Sequence, residues 1–190
     1  LATLPMALSI VGIAIFAIFA AKVMSIIGRR AGFMLASVVS SLSSLLAAYA
    51  IINQSFILFN FSCFLLGAGV AFSHQYRFAA VETVKKDMAP KAISIILLAG
   101  IGSAFIGPNV ANITKDIISE HLYAGSYIAL AALTLTSTIF LLFYEDGHKP
   151  NRDNKKIKRS YLELISQPRF LQALVASAFA YAVMSFLMTA

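Results

Sequence analysis

Lys22-Val23-Met24-Ser25-Ile26-Ile27-Gly28-Arg29-Arg30-Ala31-Gly32 is a short basic turn set between two apolar runs, residues 1–24 and 32–52. Each run supplies roughly 20 residues, which at ~1.5 Å rise per residue crosses a hydrocarbon core of ~30 Å as a helix. Outward from this turn the arrangement repeats, with further apolar runs at 56–80, 92–113, 124–144 and 170–190. The third gap holds Lys85, Lys86 and Lys91, with Arg77 at its edge. The fifth holds Lys149, Arg152, Lys155, Lys156, Lys158, Arg159 and Arg169. The second gap has no cation and the fourth only Lys115. Cations concentrated in alternate gaps follow the positive-inside rule, which places the odd gaps in the cytoplasm. The expected fold is an all-α, polytopic transmembrane bundle.

Composition supports this reading. The chain is 59% hydrophobic, above the ~45–50% of soluble domains, and its mean hydropathy is +0.83. A pI near 9.7 would suit a nucleic-acid binder, but the cations flank the apolar runs instead of forming a basic domain, so no nucleic-acid partner is expected. The bilayer is the expected environment. The single cysteine, Cys63, lies in an apolar run, which excludes an internal disulfide and a Cys-rich metal site. No cofactor and no metal are expected. Residues 1–21 are not a secretory signal, because no basic residues precede a stretch that is too long.

The first run descends toward the cytoplasm, so a preceding span is expected to bring the chain outside. The last run ends at Met188-Thr189-Ala190 with no polar residue to meet water, so more chain is expected to follow. On this reading residues 1–144 hold the second to sixth spans of a larger protein. Residues 145–169 form a cytoplasmic central loop with a short interfacial helix at 160–167, and 170–190 begin a second half. Turn signals at Asp146-Gly147 and Lys149-Pro150, then a charged stretch, mark the loop. Tyr161, Leu162, Leu164 and Ile165 give the helix an apolar side suited to the membrane surface.

These features resemble the major facilitator superfamily, secondary transporters built from two six-helix halves, and the resemblance runs through the whole chain. Gly28-Arg29-Arg30 matches the Gly-Arg-Arg end of that family's signature loop between spans two and three. The resemblance implies a conformational latch at Gly28, Arg29 and Arg30, with arginines pairing to carboxylates at nearby helix ends. Glycine permits the tight turn, and arginine is an always-charged bidentate donor. The family's Gly and Asp fall on Ala21 and Ser25, so half of that charge relay is absent.

A second point of resemblance is residues 92–113, the fifth span, which carries Gly107-Pro108 as the family's exporters do. Gly100, Ser103 and Gly107 share a helical face and admit close approach of a neighbour. Pro108 removes a backbone donor and is expected to kink the helix. A third is His74-Gln75-Tyr76-Arg77 at the cytoplasmic end of the fourth span. Arg inside a membrane helix costs about 2.5–3.5 kcal/mol on insertion scales, so it faces a cavity or a partner. Gly67, Ala71, His74 and Phe78 fall on one face with Arg77 beside it, making His74 and Arg77 candidates for a pathway or gate, with Glu82 and Asp87 in reach. The arginine that the family places near the outer start of span four aligns with Cys63. Further pathway candidates are Asn109 and Asn112, and the face of the last run bearing Tyr181, Met184, Ser185 and Met188.

The resemblance implies a transporter of a small-molecule substrate working by alternating access. Proton-coupled efflux and uptake of a small metabolite both remain open, and none of the apolar runs holds an Asp or Glu. A membrane enzyme would need a catalytic constellation, and neither Gly-x-Ser-x-Gly nor His-Glu-x-x-His is present. A channel subunit would predict no two-half repeat. A monomer in a bacterial inner membrane is expected.

Overall fold

The computed structural model describes residues 3–144 and 166–189. The helices are α1 (Leu4–Ile27), α2 (Arg29–Ile52), α3 (Phe56–Ser73), α4 (Tyr76–Thr83), α5 (Ala89–Thr114), α6 (Ala124–Leu142) and α7 (Pro168–Thr189), with a short 3-10 turn at Lys86–Met88. Among the described residues there is no strand. Leu4–Ile27, Arg29–Ile52, Phe56–Thr83, Ala89–Thr114 and Ala124–Leu142 are long and apolar enough to cross a membrane. The chain divides into a unit ending at Pro150 and a second containing α7. α7 is a 22-residue helix opened by Pro168, at the first turn, where a missing N–H costs no intrahelical bond. The expected interfacial helix at 160–167 falls almost wholly outside the described residues.

Local chemistry sets the boundaries. Gly28 alone joins α1 to α2 at φ 90°, ψ 164°, a left-handed value that favours glycine. Its N–H bonds to Met24 O at 3.1 Å, and Gly28 O accepts the Gly32 N–H at 3.2 Å. Ser55 caps α3, its Oγ accepting from the Leu58 N–H at 3.5 Å. The helix of the third apolar run, residues 56–80, is interrupted where the run reads as one segment. At His74 and Gln75 the bond pattern tightens, with the Gln75 N–H reaching Phe72 O at 2.9 Å. Both residues keep right-handed helical angles, so α3 and α4 form one span.

Apolar side chains gain little from leaving lipid for protein, so membrane helices associate through small residues and interhelical hydrogen bonds. The first unit follows that rule. α3 packs on both α1 and α2, and α6 packs on α2. Where α1 meets α3, a Cβ on Gly12 would lie 2.3 Å from Phe64 O, and one on Gly67 would lie 2.5 Å from Ser9 O. Only glycine allows that backbone contact. Ser9 Oγ reinforces it at 3.1 Å from Cys63 O. Between α2 and α6 hydroxyls take over. Ser37 Oγ lies 2.9 Å from Ser137 Oγ and 2.7 Å from Thr138 Oγ1, and it donates to Thr134 O. Ser41 Oγ donates to Ala131 O at 3.2 Å. α5 differs, because none of its residues is buried in the described structure.

Candidate functional site

The turn after α1 gathers three helix ends. Arg29 forms a two-pronged ion pair with the end of α4, Nε to Glu82 Oε2 at 2.5 Å and Nη2 to Glu82 Oε1 at 2.6 Å. This fork geometry is the strong form of an Arg–carboxylate bond, although both side chains keep contact with solvent. Arg30 Nη2 donates to Leu142 O at the end of α6, where helix carbonyls lack intrahelical partners and the dipole favours a cation. One turn further along α2, Phe33 is 1% exposed. It stacks on Tyr76 with ring centroids 4.2 Å apart and meets the edge of Tyr144 at 6.3 Å. Ala20, Met24, Ala36, Phe72 and Ala79 complete a small core beneath the turn. The first gap, Glu82 of the third and the end of the run at 124–144 thus meet at one end of the unit, the end that the cation pattern assigns to the cytoplasm.

The structure brings Gly28, Arg29 and Arg30 together with partners from two other helices. Glu82, read from the sequence as within reach of Arg77, is engaged by Arg29 instead. Arg77 and His74 are exposed. Gly67 and Ala71, on the face that carries His74, are buried against other helices, so the outer part of that face is a packing surface.

On α5 the arrangement departs from the expected close packing. A Cβ on Gly100 or Gly107 would meet no atom within 4 Å. The Ser103 Oγ bonds back to Gly100 O at 2.8 Å, and Asn109 Nδ2 to Phe105 O at 2.7 Å. Both satisfy themselves on their own helix. Asn112 is exposed. α5 continues as helix through Pro108 without a break. α5 touches α6 at the outer end, where a Cβ on Gly125 would lie 2.3 Å from Thr114 O and Ser126 Oγ donates to Ala111 O at 2.7 Å. Beside that contact is an apolar cavity of about 620 Å³, with Gly107, Val110 and Ala111 on one side and Tyr123, Tyr127 and Phe59 on the other. Tyr127 meets Phe59 edge-on, centroids 5.6 Å apart. Tyr181, Met184 and Ser185 belong to α7, but their side chains lie outside the described residues.

Sequence reasoning missed the hydroxyl seam between α2 and α6. Its signal was present, since Ser37, Ser41 and Ser44 recur at helical spacing. It also missed the aromatic cluster around Phe33, whose members come from separate runs and carry no local motif.

The profile of the Major Facilitator Superfamily matches residues 1–190. The chain belongs to this superfamily. The riboflavin transporter RfnT of Brucella anthropi is 33% identical over 193 aligned positions, covering all of this chain and 48% of that protein. Two uncharacterized MFS-type transporters of Bacillus subtilis, YdeG and YddS, are 30% and 28% identical over 74% and 75% of the chain, and 33% and 34% of their own lengths. The chain therefore spans half or less of the length of the curated relatives it matches. No solved structure matches it. The major facilitator assignment makes it an integral membrane protein of a transporter family.

Proposed function

We propose that this chain forms part of a secondary transporter that carries riboflavin, or a planar heteroaromatic solute of that class, across a bacterial inner membrane by alternating access. The observation carrying the substrate is the likeness to RfnT, which extends along the full chain. The family match supports the mechanism. Residues 1–144 are then most of a first half, 145–169 the link, and 170–190 the first span of a second half. Gly28, Arg29 and Arg30 brace the cytoplasmic ends. The bare α5 face with Gly100, Ser103, Gly107 and Pro108 is available to the rest of the protein, and His74, Arg77, Asn109 and Asn112 are pathway candidates.

The test is expression of the full-length gene in bacteria lacking riboflavin synthesis and uptake. Growth on low external riboflavin and saturable uptake of labelled riboflavin are expected. Membrane-inserted protein that gives neither would remove the flavin assignment and leave the family intact. A second reading, proton-coupled export, draws on Gly107-Pro108. Riboflavin efflux from loaded inverted vesicles that depends on a proton gradient would favour it over uptake.

A further inference from the structure

We infer that the first turn of α2 is a clamp on the end of α6, fixing where that helix stops. Two contacts of different chemistry converge there from one short stretch. Arg30 takes the Leu142 carbonyl, and Phe33 takes the Tyr144 ring edge-on at 6.3 Å with the planes at 79°. Phe33 is itself held from behind, stacked on Tyr76 at 4.2 Å and buried in the core formed with Met24, Ala36 and Phe72. The grip on residues 142 and 144 therefore rests on a rigid support.

A helix end in this position is otherwise prone to fray. The Phe143 and Tyr144 N–H groups close the last turn on Phe140 O and Leu141 O, the Leu142 carbonyl lies beyond that turn, and Phe143 between the two held residues is 82% exposed. With Leu142 and Tyr144 pinned, force reaching the chain beyond Tyr144 is passed to α2 and to the core under the turn, and α6 does not unwind. The clamp lies within one unit. Both of its sides belong to that unit, so its task is to keep α2 and the end of α6 together.

The test uses the full-length protein in lipid nanodiscs with Cys63→Ser. A nitroxide label is placed at Phe143 or, as a control at the other membrane face, at Leu122, which is 58% exposed. Arg30→Ala, Phe33→Ala and Tyr144→Ala should each raise label mobility severalfold at 143 and leave 122 unchanged. Tyr144→Phe retains the ring and should keep 143 immobile. Unchanged mobility at 143 in Arg30→Ala and Tyr144→Ala would overturn the clamp. So would an equal rise at 122, since that would mean general loosening. Where Phe33→Ala fails to fold, the Tyr144→Ala and Tyr144→Phe pair decides the matter from the outer side of the contact.

Discussion

α2 and α5 carry the same pattern and meet opposite fates. Ser37, Ser41 and Ser44 line one face of α2, as Gly100, Ser103 and Gly107 line one face of α5. Half of the most apolar stretch of α2 is buried, and none of that of α5. In α2 the hydroxyls at 37 and 41 reach across to α6, whereas Ser103 turns back to its own helix. Small residues make a helix face able to pack in lipid, because they admit close approach and offer short-range hydrogen bonds. They do not say which helix arrives. The pattern marks an interface, and only the rest of the chain supplies the partner.

The largest expected effect separates packed glycines from open ones. At Gly67 even a Cβ would sit 2.5 Å from Ser9 O and 2.9 Å from Ile13 N, both backbone atoms that cannot swing aside. Gly67→Leu should therefore prevent α1 and α3 from closing, giving little or no folded full-length protein by fluorescence-detected gel filtration. Gly67→Ala should fold with a clearly lowered melting temperature, overpacking of this kind costing about 1–3 kcal/mol. Normal yield and stability in Gly67→Leu would break the distinction between sealed and bare helices.

Gly107→Leu sharpens the same comparison from the other side. Nothing in the described structure opposes the new side chain, so yield and melting temperature should stay near wild type. If the bare face docks against the remainder of the transporter, leucine will block that approach and transport will be lost. Wild-type transport would mean that this face meets lipid. Pro108→Ala should be milder, since α5 already runs through Pro108 as helix.

How far the sequence could be read follows from where each signal resides. The first five spans were legible because length and apolarity are properties of single segments. The turn at Gly28 was legible for the same reason, its conformation being written in one glycine. The choice of Glu82 for Arg29 over Arg77 was not, because the two arginines compete across separate helices and only the packing of α4 against the turn decides. Nor was the break at His74 and Gln75, because polar residues at the end of an apolar run read equally as a pathway lining or as a change in the hydrogen-bond pattern. The burial of α2 and the bareness of α5 were beyond reach, since both faces look alike in isolation.

Ser37 offers an intermediate effect. Its hydroxyl lies at the centre of the α2–α6 seam, against Ser137, Thr138 and the Thr134 carbonyl. Ser37→Ala should lower stability by about 0.6–2 kcal/mol, the range for interhelical hydrogen bonds in membranes, read as a fall in melting temperature of detergent-solubilised protein. Ser103→Ala on α5 is the matched control and should change stability negligibly, because its bond stays within one helix. Equal losses at the two positions would show that hydroxyls contribute here through their own helices and not across the seam.

The smallest effect is expected at the Arg29–Glu82 pair. Its geometry is good, but Arg29 is 23% and Glu82 46% exposed, and pairs so open to water are typically worth about 0.2–1 kcal/mol. Arg29→Ala and Glu82→Ala should each lower stability slightly, by amounts that shrink as salt is raised. The informative variant is the exchange Arg29→Glu with Glu82→Arg. If the pair only joins the start of α2 to the end of α4, exchange should recover most of the stability lost in either single reversal. The melting temperature in low salt reads this directly. If Arg29 also acts as a topology signal, the exchange will restore the ion pair yet leave insertion impaired, because the cation will have moved from the first cytoplasmic gap to the third. Membrane yield and melting temperature would then part company, with yield low and stability near wild type in the protein that does insert. Failure of the exchange on both measures would mean that the contact between α2 and α4 depends on more than opposite charge, and would separate it from the Ser37 seam, where removal of a single hydroxyl is expected to be enough.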